Sequence, residues 1–206
     1  MSARRSKRRT STTLWTPANI VTCARVVLVP IWLLIAEAIP YSDGTKIAWA
    51  AFLTFALYLA ISLTDKLDGY LARSRNEVTT FGKFLDPIAD KLAVVVALAY
   101  LLEQGVISSW VLLVIVAREF LVSGLRMVVA SKGVVIAASN LGKVKTFTTM
   151  GAICGYLFAM AIPTCLFRTV LMWACRISML VAVVLTIWSG VDYFIKSWPA
   201  LTDMDD

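Results

Sequence analysis

Residues 48–102 read AWAAFLTFALYLAISL (48–63), TDKLDGYLARSRNEVTTFGKFLDPIADK (64–91) and LAVVVALAYLL (92–102). Two membrane-like apolar runs flank a segment that holds Asp65, Asp68, Asp86 and Asp90. An aspartate at the centre of a membrane helix costs about 2.5–3.5 kcal/mol, so four uncompensated ones would cost on the order of 10 kcal/mol. Something must neutralise them, and intramembrane carboxylates of this kind mark function by default.

The whole chain supports a membrane reading of those flanks. It has 206 residues, of which 59% are hydrophobic and 16% charged, with mean hydropathy +0.78. Soluble domains hold roughly 45–50% apolar and roughly 25% charged residues. The expected class is therefore an all-α integral membrane protein, with one bundle domain at this length. The net charge of +7 is divided among loops between apolar spans. That pattern fits topology signals rather than a nucleic-acid surface, so no nucleic-acid partner is expected. The chain has no histidine, which removes His-based phosphoryl transfer, Ser-His-Asp chemistry and most zinc sites. Cys23, Cys154, Cys165 and Cys175 form no CxxC pair and read as small core residues.

Outward from the aspartates, the apolar periods predict six transmembrane helices. Residues 1–13, basic and Ser/Thr-rich, read as a disordered tail at an anionic cytoplasmic surface, with no signal-peptide cleavage pattern behind them. The membrane domain is expected over 14–198 and an acidic tail over 199–206. Span one runs from Pro17 to Ile39, with Pro17 suited to a helix start. Span two starts near Lys46 and continues through the first aspartates, and span three starts near Phe81. Spans four, five and six cover Ser109–Val129, Leu141–Ile162 and Leu166–Phe194. Arg4, Arg5, Lys7, Arg8, Arg9, Arg73, Arg75, Lys83, Arg126, Lys132, Lys143, Lys145 and Lys196 fall on the N-terminal side. Lys46 and Arg168 fall opposite. The positive-inside rule then puts both termini in the cytoplasm. A polar active-site cavity is expected at the cytoplasmic side, with polar groups arriving from five spans.

Within span one, Asn19, Thr22 and Arg25 recur at i, i+3 and i+6. Asn19 and Thr22 share a face. Arg25 taken alone reads as snorkelling to the interface; taken with the rest, it faces the cavity.

Helical spacing puts Asp65 and Asp68 on one stripe, with Ala72 a turn further, and Asp86 and Asp90 on another, with Gly82 a turn before. If spans two and three pack antiparallel, four carboxylates share one volume. Two carboxylates about 4 Å apart repel by about 4 kcal/mol at an effective dielectric of about 20. Protonation or divalent cations would relieve this, and all-oxygen ligands suit Mg²⁺, Mn²⁺ or Ca²⁺. Gly69, Ala72 and Gly82 either pack helices closely or open a slot where a bulky group such as a nucleotide meets the backbone.

The pattern D-x-x-D-G-x-x-A-R-x8-G-x-x-x-D-x-x-x-D, carried by Asp65, Asp68, Gly69, Ala72, Arg73, Gly82, Asp86 and Asp90, resembles at every position the signature of the CDP-alcohol phosphatidyltransferases. Asn19-x-x-Thr22-x-x-Arg25, Ala117-Arg118-Glu119, Ser123-Gly124-Leu125-Arg126 and Leu141-Gly142-Lys143-Val144-Lys145-Thr146 are similar to the bacterial phosphatidylglycerophosphate synthase branch of that family. The resemblance implies metal ligands at Asp65, Asp68, Asp86 and Asp90, holding two Mg²⁺ or Mn²⁺ ions, with Asp90 also the general base. It implies a CDP site lined by Gly69, Ala72, Arg73 and Gly82 with Asn19 and Thr22. The implied donor is CDP-diacylglycerol, CMP is the leaving group, and the chain would be a homodimer in a bacterial plasma membrane.

The acceptor follows from charge. Glycerol 3-phosphate brings a dianion, and Arg118, Arg126, Lys143 and Lys145 supply cations, the arginines bidentately. Arg118 beside Glu119 is alternatively a structural ion pair. A cardiolipin synthase using phosphatidylglycerol, or a phosphatidylinositol-phosphate synthase, would keep the chemistry with another acceptor. A cation- or proton-coupled transporter is the reading from a different class, and the clustering of acids near one face argues against it.

Overall fold

The computed structural model describes residues 17–39, 48–75, 80–131 and 140–202. Six α-helices account for nearly all of them: α1 Pro17–Ala38, α2 Trp49–Arg75, α3 Thr80–Glu103, α4 Ser109–Ser131, α5 Asn140–Ala161 and α6 Leu166–Thr202. Each expected span has its helix. The basic tail over 1–13 lies outside the described residues. The turn between α3 and α4 is the clearest helix stop. Gly105 takes φ +67°, a left-handed conformation that glycine adopts without steric cost. Its N–H bonds Leu102 O at 2.9 Å, and Val106 N–H bonds Leu101 O at 2.9 Å. Ser108 O then accepts from Val111 N at 3.0 Å as α4 begins.

The helices close into a ring. α1 packs on α2 and α3, α2 on α5, α5 on α6, α6 on α4 and α4 on α3, while α3 also meets α5 across the middle. α2 and α3 touch each other sparingly; α1 sits against both. Direct antiparallel packing of spans two and three is thus a minor part of the described bundle. Successive helices alternate in direction. Ala48 N bonds Ala161 O at 3.0 Å, joining the start of α2 to the end of α5. One end of the bundle therefore gathers the N-termini of α1, α3 and α5 and the C-terminal halves of α2, α4 and α6.

The core is aromatic near the other end. Trp32 lies 5.3 Å from Tyr58 and 5.5 Å from Tyr100 between ring centroids. Its indole N–H donates to Thr54 O at 2.8 Å, and Tyr100 O–H donates to Ala36 O at 3.2 Å. Both polar tips are satisfied inside an apolar environment, as burial requires. Where α5 crosses α6, Gly155 lets the helices approach so closely that a Cβ there would stand 2.5 Å from Cys175 Sγ. Cys175 is buried, but Cys165 is exposed in the α5–α6 connection, and Cys23 and Cys154 are half-buried. Cys165 thus departs from the expected core role because it precedes α6 rather than lying within a helix.

Large apolar side chains cover the outside. Trp110, Leu121, Phe147, Leu166, Leu180 and Trp188 are all exposed. Water would penalise such a surface, and hydrocarbon would not. Among the described residues, three helices are long and apolar enough to cross a membrane, over Asn19–Ala38, Val144–Ala161 and Leu166–Trp198. α2 has a shorter apolar segment, Trp49–Thr64, because its second half carries charge. α6 runs on to Thr202, past the Phe194 limit drawn from its apolar run.

Candidate active site

The backbones of α2 and α3 carry the aspartate signature to the polar end of the bundle. Asp65, Asp68, Gly69, Ala72 and Arg73 lie on α2, and Gly82, Asp86 and Asp90 lie on α3. Their side chains lie outside the described residues, as does that of Lys143 on α5. The neighbour of Asp90 is described: Lys91 Nζ donates to Ser123 Oγ on α4. This bond ties the aspartate-bearing part of α3 to the second half of α4.

α1 brings three polar side chains to the same end. Asn19, Thr22 and Arg25 are only 3%, 1% and 2% exposed. Arg25 therefore does not snorkel to the interface. Its side chain is enclosed in the bundle, where α1 packs on both α2 and α3. A buried guanidinium needs anionic or polar company, which is consistent with a polar interior at this end.

The cations expected to meet the acceptor divide into two groups. Arg118 and Lys145 converge on one carboxylate. Arg118 Nη1 donates to Glu119 Oε1 at 2.9 Å, and Lys145 Nζ donates to that same oxygen. Both cations are largely buried, with side chains 16% and 7% exposed. The ion-pair alternative for Arg118 is thus realised, in a form that also captures Lys145. Arg126 stands apart on the exposed side of α4, with its guanidinium carbon 5.5 Å from the Tyr193 ring centroid. That distance suits a cation–π contact and leaves the guanidinium donors open for other partners.

α6 contributes more than its plain apolar run suggested. Ser189 Oγ accepts from Arg118 Nη2 at 3.1 Å. A Cβ on Gly190 would come within 3.3 Å of Arg118 Cγ, so the arginine stem runs close over that glycine. Tyr193, one turn on, underlies Arg126. Ser189-Gly190 and Tyr193 are neighbours of the candidate cations that sequence inspection passed over. Their signal was a Ser-Gly pair and a tyrosine interrupting an apolar helix. The same is true of Lys91, whose Nζ donates to Ser123 Oγ on α4.

Charge bookkeeping for the described side chains is simple. Arg118 and Lys145 share the single carboxylate of Glu119 in a largely buried cluster. Among the described residues α4 and α5 do not pack on each other; the Glu119–Lys145 pair bridges the gap. Such a space suits an anionic group, and a phosphate in particular.

Comparison with known proteins bears on the same residues. The family model described as CDP-alcohol phosphatidyltransferase matches residues 15–188. A Bacillus subtilis protein named CDP-diacylglycerol–glycerol-3-phosphate 3-phosphatidyltransferase is 41% identical over 189 residues, covering 89% of this chain and 95% of the relative. Proteins of the same name from Rickettsia felis and Yersinia pestis are 37% and 36% identical, covering 92% and 95% of their lengths. The match takes in both aspartate helices and the cations of α4 and α5. This chain belongs to the CDP-alcohol phosphatidyltransferase family.

Proposed function

We propose that the chain transfers the phosphatidyl group of CDP-diacylglycerol to glycerol 3-phosphate, giving phosphatidylglycerophosphate and CMP, in the synthesis of phosphatidylglycerol and cardiolipin. The observation that carries this is the convergence of two cations, Arg118 and Lys145, in the bundle to whose polar end α2 and α3 bring the aspartate signature. The name of the Bacillus subtilis relative states the same donor and acceptor.

The donor set fits a hard divalent cation. Residues 64–91 offer four aspartates and neither histidine nor cysteine, a chemistry that selects Mg²⁺ or Mn²⁺ over zinc. Asp65, Asp68, Asp86 and Asp90 would hold one or two such ions, which when bound offset the negative charge of the donor's diphosphate. The chain's own groups do the rest. The Asp90 carboxylate accepts the proton of the acceptor hydroxyl. The acceptor oxygen bonds to the phosphatidyl phosphorus, the P–O bond to CMP breaks, and CMP leaves. Gly69, Ala72 and Gly82 leave room for the nucleotide, with Arg73, Asn19 and Thr22 beside it. Arg118, Arg126, Lys143 and Lys145 orient the acceptor phosphate.

The same proposal includes six spans in a bacterial plasma membrane, both termini in the cytoplasm, and a homodimer. Three apolar helices and an apolar outer surface support membrane insertion. The positive charge of the loops supports the orientation.

An acceptor screen tests the function. Purified protein should release CMP from CDP-diacylglycerol only with glycerol 3-phosphate and with Mg²⁺ or Mn²⁺. Turnover with phosphatidylglycerol or inositol phosphate, and none with glycerol 3-phosphate, would overturn the acceptor.

A further inference from the structure

Arg168, Met172 and Arg176 recur at i, i+4 and i+8 in the first half of α6, so they share one stripe. Arg168 Nη1 donates to Ile162 O at 3.3 Å, at the end of α5, which leaves the rest of its guanidinium fork open. Arg176 reaches back toward the start of the helix, the direction in which helical side chains tilt. Its guanidinium carbon stands 5.0 Å from the Trp173 ring centroid, and a cation over a ring face keeps its N–H donors available. The two arginines, with Thr164, Thr169, Met172 and Trp173, line one groove of ≈ 320 Å³. We infer that this groove binds the headgroup phosphate of an anionic phospholipid, in the leaflet remote from the aspartates.

Two guanidiniums in one groove call for an anion, and a phosphate matches their bidentate geometry. Among the described residues, neither arginine is paired with a carboxylate. Glu37 and Glu103, near the same end of the bundle, stand on α1 and α3, which do not pack on α6. Asp43 and Lys46 lie outside the described residues. Arg176 is exposed within the apolar stretch Leu166–Trp198, about 15 Å along the axis from Leu166. A guanidinium so placed against hydrocarbon is costly unless it finds an anion or reaches the interface.

The surroundings select a lipid over free phosphate. Trp173, Ile177 and Leu180, at i−3, i+1 and i+4 from Arg176, are 58%, 61% and 65% exposed. Acyl chains can lie along them while the phosphate sits between the arginines, and the hydroxyls of Thr164 and Thr169 offer bonds to a polar headgroup. A zwitterionic headgroup would bring its own cation beside Arg168 and Arg176, whereas an anionic one would not.

The test uses purified full-length protein in phosphatidylcholine nanodiscs and a photoreactive phosphatidylglycerol with a diazirine near its glycerol backbone. Labelled positions are mapped by peptide mass spectrometry. Wild type should be labelled over residues 163–177. Excess phosphatidylglycerol should lower that labelling by about fivefold or more, and excess phosphatidylcholine or inorganic phosphate by less than about twofold. Arg176→Gln leaves the Arg168–Ile162 bond in place and should lower labelling by about fivefold, and Arg168→Gln/Arg176→Gln by about tenfold. Labelling elsewhere on the chain should stay within about twofold, since only the groove has changed. Equal labelling of wild type and Arg176→Gln overturns the inference. So does equal competition by phosphatidylcholine or inorganic phosphate, or a fall that extends along the whole chain. No turnover enters these readouts, so the lipid site and the acceptor assignment stand or fall separately.

Discussion

Arg118 on α4 donates from Nη2 to Ser189 Oγ on α6 at 3.1 Å. This bond puts the sixth helix into the wall of the cation pocket. Glu119 holds one nitrogen of the guanidinium and Ser189 another, which fixes the plane of the fork. A guanidinium fixed in this way loses less freedom when it captures a phosphate.

Ser189→Ala should therefore weaken acceptor use more than donor use. It removes the acceptor of a largely buried donor, at about 1–3 kcal/mol. We expect the KM for glycerol 3-phosphate to rise by about tenfold with little change in that for CDP-diacylglycerol. Steady-state kinetics with each substrate varied in turn will check this. A matching rise in both would show that Ser189 supports the fold rather than Arg118.

Gly190→Ala approaches the same arginine from beneath. The added methyl would stand 3.3 Å from Arg118 Cγ, so the stem must shift by a few tenths of an ångström. The expected result is a folded protein with acceptor KM raised severalfold and thermal stability lowered by about 1 kcal/mol or less. Unchanged kinetics would show that the guanidinium tolerates the shift.

Asp90→Asn should abolish turnover while the protein still binds the nucleotide lipid. Loss of a general base typically lowers the rate by about 10²–10⁴-fold. CMP release and binding of radiolabelled CDP-diacylglycerol measure the two effects separately. Near-normal CMP release would remove Asp90 from the role of base.

Chelation should silence the enzyme, and the choice of restoring ion should follow ligand hardness. With oxygen ligands alone, Mg²⁺ or Mn²⁺ should restore activity after EDTA. The assay is CMP release against added metal. Full activity in EDTA would refute metal dependence.

Gly155→Ala should destabilise the α5–α6 contact. Its new Cβ would meet Cys175 Sγ at 2.5 Å, and Cys175 is buried, so one helix must move. Overpacking of this kind costs about 1–3 kcal/mol. Adding Cys175→Ala should recover most of the loss, because it removes the clashing atom. Thermal unfolding in detergent of the single and double variants will show whether it does.

Much of this was legible without coordinates. Mean hydropathy, the six apolar periods and the breaks at Gly105 and Pro163 defined the helices, because backbone hydrogen bonds in hydrocarbon leave a helix few alternatives. The spacing of Asp65, Asp68, Asp86 and Asp90 predicted shared helix faces, because helical periodicity brings i, i+3 and i+4 together, and the full pattern around them carried the resemblance to the family. Sequence alone could not say which helices neighbour one another, since an apolar stripe does not name its partner. Only the tertiary structure decided that α1 lies against both α2 and α3, which keeps Arg25 inside rather than at the interface. Only it decided that Arg118, Lys145 and Glu119 meet across a gap between α4 and α5, and that Ser189 on α6 completes their setting. These contacts join residues up to 71 positions apart, and no local pattern encodes such a distance.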